Sequence, residues 1–453
     1  MKRILSILFL VTMIALPGRS VGEVLELDRV VELALERNPG LKAVEERRDQ
    51  VQAGVREAWA DAYPQLAFRG SWGRSRNPSL LNSPDFEEII EQFPGFSPAV
   101  QDLYNLSVEL SQPLFTSGKV GAGIKLAKLV VGVNEAQIGT TRLDAGLIAA
   151  EAYFRLLEAH AALETIEIQR QTREESLDVV EARYELGDAT RLEQLQAQAA
   201  LAELDPLVDQ ARGGVQVRKI QLRSVLDLPR DFPLEVAEMK GPLPAVPTRE
   251  RALTHAFEHR PEFDDLELQH QALGKQKTIT RADTLPRVDL NGFYGHTTRY
   301  YHNLNDTLYS DWAIGIGLRW EFFDGGRRKG KVAGIDSQQD QVEWLQADLE
   351  NRVEQEVEQA LTEYVTALSR WQAAEFSAKA SREANRVAQE SYQEGVALQA
   401  DWLTAQERDI QAEFFLVRSF YGARISAARL GRAVGLQPDV AWKFTGEEES
   451  EGS

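Results

Sequence analysis

The chain carries the same punctuation twice. Asn38-Pro39 follows the apolar cluster Leu33, Ala34, Leu35, and Arg260-Pro261 follows Leu253, Ala256, Phe257 at a shift of 222 residues. Tyr63-Pro64 and Leu285-Pro286 recur at that same shift. Farther on, Pro113 to Gly118 faces Glu321 to Gly326, and Tyr184-x-x-Gly187 faces Tyr392-x-x-Gly395, both at a shift of 208. An unequal surface loop between the prolines and the Phe-x-x-Gly turns accounts for the change of register. The fold must therefore be built from two similar halves.

Each half reads in one order. A proline-led helix comes first, Pro39 to Ala62 and Pro261 to Thr284. Proline suits the first helical turn, where its missing N–H has no intrahelical partner to lose. Two strands joined by a loop follow. A very long helical stretch comes next, Val120 to Leu186 and Arg328 to Glu394, and after a glycine break a helix returns, Thr190 to Leu226 and Ala400 to Val434. Val353, Val357, Leu361, Tyr364, Leu368 and Trp371 step by four and three, the spacing of a coiled-coil seam. Such a stretch of about 67 residues is roughly 100 Å long, too long for a compact core. Asp205-Pro206 and Gly213-Gly214 predict a bend in the first returning helix.

The strands alternate with period two. Leu66, Phe68, Gly70 and Trp72 share a face; so do Leu106, Val108 and Leu110; so do Val288, Leu290, Gly292 and Tyr294. Trp312, Ile314, Ile316, Leu318 and Trp320 make a fully apolar face with tryptophan at both ends. Trp72, Trp312 and Trp320 are candidates for a lipid-facing aromatic belt. A soluble sheet packed on a core gives the same alternation. Four strands cannot close a membrane barrel, and open edges in lipid would leave backbone groups unpaired. Three chains would supply twelve strands. Two would supply eight, which side chains fill. The lead and returning helices, stacked end to end, match the long helix, so each chain would add four rods to a ring of twelve.

Composition narrows the class. Lys2 and Arg3 precede the apolar run Ile4 to Leu16, with Ser20 and Gly22 suited to cleavage before Glu23, so residues 1–22 read as an export signal. The halves then occupy 23–228 and 249–437, joined by a Pro-rich linker at 229–248 and followed by an acidic tail at 438–453. No other segment reads as a spanning helix, so a membrane crossing would have to be made by strands. The absence of cysteine excludes disulfides, thiolate metal sites and a lipidated N-terminal Cys. The net charge of −19 argues against nucleic acid as a partner. Gly325-x4-Gly330-Lys331 starts like a phosphate loop, but Val332 stands where a Ser or Thr would bind Mg²⁺, so it reads as a turn. His255 and His259 have metal-capable spacing, but no Glu or Asp sits where a zincin base would be needed, and they read as a solvated helix face. No enzyme chemistry or cofactor site stands out.

From about Leu27 to Gln437 this duplicated order resembles the TolC-like outer-membrane efflux protein family. The resemblance rests on Asn38-Pro39, Tyr63-Pro64, the Pro113 to Gly118 turn and Tyr184-x-x-Gly187, with their second-half counterparts through Tyr392-x-x-Gly395-x5-Asp401-x-Leu403-x-Ala405-Gln406. It implies a mostly α protein with a transmembrane β-barrel: a homotrimer closing a 12-stranded barrel in the outer membrane, above a helical tunnel in the periplasm. It implies as partners a periplasmic adaptor (membrane fusion) protein and an inner-membrane transporter of RND, ABC or MFS type. The duct would be passive and would serve efflux or type I secretion. The family's periplasmic gate lies at the hairpin tips, which here run from Tyr184 to Leu195 and from Tyr392 to Leu403. Gate candidates are Tyr392, Asp401, Glu193, Arg191 and Tyr184, with tip turns at Gly187 and Gly395. Barrel-to-helix turns are Gly118, Gly325 and Gly326. Ala397 and Thr404 replace an Arg and an Asp usual in the family, and Arg191 is the candidate to replace that Arg. The alternative is a secreted coiled-coil structural or adhesion protein, which explains the heptads and the leader but not strands placed twice at matching points.

Overall fold

The computed structural model describes residues 24–75, 101–239 and 241–438. The expected leader and all of the expected acidic tail beyond residue 438 lie outside the described residues. The chain divides into two compact units. A hairpin unit takes its described residues from Met1–Lys42, Thr141–Arg260 and Arg352–Ser453, and a sheet unit from Ala43–Thr140 and Pro261–Asn351.

The helices follow the duplicated reading with local differences. Short helices α1 (Leu27–Arg37) and α6 (Arg249–His259) precede the proline-led helices α2 (Pro39–Ala60) and α7 (Pro261–Ala282). The proline-led helices stop two residues earlier than expected. Tyr63 N–H donates to the Ala60 carbonyl and Leu285 N–H to that of Ala282, so both last turns tighten to an i→i+3 pattern. The long helices α3 (Lys119–Leu186) and α8 (Arg327–Gln393) are continuous over 68 and 67 residues. The first returning helix, expected as one piece, is two: α4 (Arg191–Ala202) and α5 (Leu204–Val225). Pro206 cannot donate to the carbonyl of Ala202, and the interruption falls at Glu203. Gly213-Gly214, also expected to bend, lies uninterrupted inside α5. The second returning helix, α9 (Gln399–Ala433), has no interruption.

In the sheet unit, β2 (Gln65–Ser75), β3 (Gln101–Phe115), β5 (Arg287–Thr298) and β6 (Ser310–Arg319) form one antiparallel sheet in the order β2-β3-β5-β6. Phe68 pairs with Val108, Val108 with Tyr294, and Tyr294 with Trp312. The register shifts between Pro113 and Phe115, because proline has no N–H for the ladder. Both glycine turns lead from strand to long helix. Gly325 and Gly326 have φ of +70° and +88°, a region that penalises a Cβ. There the Asp324 carboxylate accepts from the N–H of Gly326 (3.1 Å) and Arg328 (2.9 Å) and from Arg328 Nε (2.7 Å). The amides of the phosphate-loop-like segment are thus used by Asp324 as a helix cap. Gly118 (φ +84°) makes the matching turn, where Ser117 Oγ donates to the Pro286 carbonyl at 2.7 Å.

In the hairpin unit, β1 (Val24–Leu25) pairs in parallel with β4 (Glu235–Val236). Leu27, Val30, Val31 and Ala34 put one stripe of α1 into the core, against Tyr153 and Phe154 of α3, Leu222 of α5 and Ala428 of α9. The linker after β4 is pinned to three helices. Tyr153 Oη donates to Ala237 O at 2.6 Å, Arg424 to Gly241 O at 2.6 Å, and Tyr364 Oη to Pro244 O. His255 and His259 stack, and His255 Nδ1 meets the Val434 carbonyl at 2.8 Å. No cluster of three or more His, Cys, Asp or Glu placed to hold a metal ion occurs among the described residues.

Candidate functional site

Two surfaces carry the chemistry, one in each unit. The hairpin unit holds the two helix tips. The α3 tip ends as the α8 tip does. Gly187 and Gly395 have φ of +85° and +77°, and each N–H donates three residues back, to Tyr184 and Tyr392. Asp188 and Val396 N–H then reach five residues back, to Arg183 and Ser391. This pairing closes a helix C-terminus through a glycine. At the start of α4, Thr190 and Glu193 form a reciprocal capping box. The corresponding cap of α9 is Leu398, which offers no side-chain bond.

Above these matching turns the tips differ. Tyr392 is buried at 3 % exposure and stacks on Trp402, with ring centroids 5.3 Å apart. Val180 and Ala197 from the other hairpin complete the cluster. Tyr184, the repeat partner of Tyr392, is exposed. The side chain of Arg183 joins the hairpins. Its guanidinium lies 4.7 Å from the Tyr392 ring centroid and donates to the carbonyls of Tyr392 and Gln393. Those carbonyls end α8, where a cation is favoured. Gln399 Nε2 ties α9 back to the Glu193 carbonyl at 2.8 Å, and Gln406 Nε2 reaches Ser176 Oγ at 2.6 Å. Not every polar group here is satisfied. Tyr392 Oη, Trp402 Nε1 and Gln399 Oε1 are buried without a partner among the described residues. Burial pushes the Tyr392 phenol upward in pKa.

Of the gate candidates, Tyr392 is central to this contact. Glu193 contributes its backbone carbonyl across the hairpins, while its carboxylate caps its own helix. Arg191 stays on its own helix, bonded to Gln194. Asp401 sits exposed in the first turn of α9. Arg183, Trp402 and Gln399 were not singled out in the sequence. The usable signal was at Arg183, where the matching position of the second half is Ser391.

The sheet unit carries the second surface. One face presents Leu66, Phe68 and Trp72 from β2, Val108 from β3 and Trp312, Ile314, Ile316 and Leu318 from β6. None of the described residues covers it. Phe68 is 69 % exposed, Trp312 68 % and Ile316 70 %. The other face is polar, with Arg69 paired to Glu109 at 3.2 Å and Ser111 Oγ donating to Asn291 Oδ1 at 3.3 Å. Trp72 donates to Asp102 at 3.2 Å, and Trp320, just beyond β6, to the Thr284 carbonyl at 3.1 Å. Each indole thus keeps its N–H on a polar group while its ring is exposed. Eight strand steps separate Trp312 from Trp320, about 26 Å at 3.3 Å each, close to the height of a membrane barrel's apolar band. No described helix is long and apolar enough to cross a membrane.

The family model of outer membrane efflux proteins matches residues 30–227 and 252–436. Outer membrane protein OprJ of Pseudomonas aeruginosa is 24 % identical over 90 % of this chain and 84 % of its own length. The alkaline protease secretion protein AprF of the same species is 23 % identical over 89 % of this chain and 83 % of its own. Among solved structures, the outer membrane protein VceC of Vibrio cholerae superposes with a TM-score of 0.72 at 22 % identity, over 90 % of this chain and 96 % of that one.

Proposed function

Because the chain belongs to the outer membrane efflux protein family, we propose that three copies close one barrel and act as the exit duct of a tripartite assembly. The protein is an outer-membrane channel component that extends into the periplasm, and its family is one of channels. The observation that carries the trimer is the sheet itself. Four strands with an uncovered apolar face and two open edges are stable in lipid only when neighbouring copies pair those edges. Three copies give twelve strands and leave a lumen lined by the polar face. Trp72, Trp312 and Trp320 lie in the lipid-facing belt.

The hairpin tips form the periplasmic gate in this reading. Arg183, reaching the end of α8, takes the place of the latch that Ala397 does not supply. The buried polar atoms left without partners keep the closed contact shallow in energy, which suits a gate opened by partners. Those partners are a periplasmic adaptor and an inner-membrane transporter of RND, ABC or MFS type, and transport is driven by them.

Detergent extraction of the outer membrane tests this. The expected result is a heat-sensitive trimer on gels that forms channels in planar bilayers. Recovery as a soluble periplasmic monomer refutes it.

A further inference from the structure

A groove of about 1140 Å³ opens between α3, α5, α8 and α9 within the hairpin unit. Five arginines line it: Arg155, Arg218, Arg370, Arg418 and Arg429. Only Glu158 and Glu363 oppose them in the lining, in a chain whose net charge is −19. Arg429 pairs with Glu151 at 2.7 Å, and Arg155 lies 3.9 Å from the same carboxylate. Arg218 bonds only the neutral Gln221, at 2.9 Å. Among the described residues, Arg370 and Arg418 have no carboxylate within ion-pair distance. Burial pushes the Glu158 carboxyl up in pKa even with Arg155, Arg218 and Arg418 pulling it down. Phe415 and Ile425 add apolar wall to the same groove.

The groove is separate from the pinned linker. On α9, Arg424 bonds the linker, while Arg418, Ile425 and Arg429 follow another stripe of the helix. It is also distinct from the hairpin tips. Like charges gathered on one concave wall repel each other unless a counter-charge sits among them. The described residues supply too few acids here. A planar guanidinium offers two parallel donors to a carboxylate, sulfonate or phosphate. The volume is that of a large ligand site.

We propose that this groove binds amphipathic organic anions, molecules with two or more acidic groups on an aromatic or aliphatic body. Arg370 and Arg418 hold the acidic groups, and Phe415 and Ile425 contact the body. In the duct reading, on which this use depends, the groove is a station for anionic cargo. The binding itself needs no transport.

The test uses the purified full chain in detergent and the fluorescent trisulfonate pyranine, followed by anisotropy at about 0.1 M salt, where screening acts beyond about 10 Å. Saturable binding is expected. The double variant Arg370→Gln/Arg418→Gln should weaken it by about tenfold or more, the loss of charge-assisted bonds. The double variant Arg327→Gln/Lys329→Gln, in the sheet unit and outside the groove, should leave it unchanged. Absence of saturable binding, or equal weakening by both double variants, overturns the site. Bilayer conductance of the same preparations separates the two readings. Channels without dye binding refute only the groove, and dye binding without channels refutes only the duct.

Discussion

Replacing Arg183 by alanine should loosen the hairpin tips. The guanidinium makes two charge-assisted bonds to the last carbonyls of α8 and lies over the Tyr392 ring. Charge-assisted bonds contribute about 1.5–3 kcal/mol each. Arg183 is only half-buried, so the lower end applies and solvent reduces it further. The ring contact adds about 0.5–1 kcal/mol at such a site. A total of about 2–3 kcal/mol multiplies the population of separated tips by roughly 30 to 150. Single-channel recording reads this as a rise in open probability. Amide exchange of residues 388–402 should quicken in parallel. Arg183→Lys keeps the charge but loses the fork, so it should fall between the two. Tyr392→Phe should be near neutral, since the hydroxyl has no partner among the described residues. Wild-type open probability and exchange in Arg183→Ala would refute the latch.

Four other outcomes follow from the same geometry. Asp401→Ala should raise conductance or abolish block by divalent cations in planar bilayers, and unchanged block removes Asp401 from the gate. Ile314→Arg should destabilise the vesicle-inserted protein by about 2–4 kcal/mol in urea titrations, whereas Ala313→Arg on the opposite face should cost far less; equal costs would mean the apolar face does not meet lipid. Brominated lipids should quench Trp72, Trp312 and Trp320 more than an aqueous quencher does. Burial raises the pKa of Asp409, whose carboxylate accepts from Asn385 at 3.1 Å. A raised folded pKa means its stabilising effect is full below about pH 4 and declines as pH rises through the folded value. Asp409→Asn should therefore flatten the pH dependence of melting and raise the midpoint at neutral pH; an unchanged pH profile refutes this.

The sequence showed most of the fold because the fold is regular. Proline-led helix starts, heptad spacing and strand alternation are local patterns, and α3, α8 and the four-stranded sheet appear where those patterns place them. Two features were less legible. The short helices α1 and α6 are too brief for periodicity to separate them from the proline-led helices after them. The break at Glu203 comes from the carbonyl that Pro206 leaves unpaired, one turn before the proline itself. At the tips the sequence marks only single gate positions. Their buried contact depends on which hairpin contributes each group, and duplication hides that. Tyr184 and Tyr392 occupy equal places in the repeat, yet one is exposed and the other is buried under Arg183. Trp402 and Gln399 have no partner of the same kind in the first half, so comparing the halves could not raise them.

The interruption at Glu203 makes the hairpins mechanically unequal. The second returns along one uninterrupted helix of 35 residues, and the first along two of 12 and 22 residues. Glu203 keeps helical dihedrals (φ −64°, ψ −22°), so the first return is weakened at one turn of its hydrogen-bond ladder. In the proposed gate, an opening partner would gain more leverage on the continuous α9, and the interrupted return, tethered through Arg183, would be the part that yields.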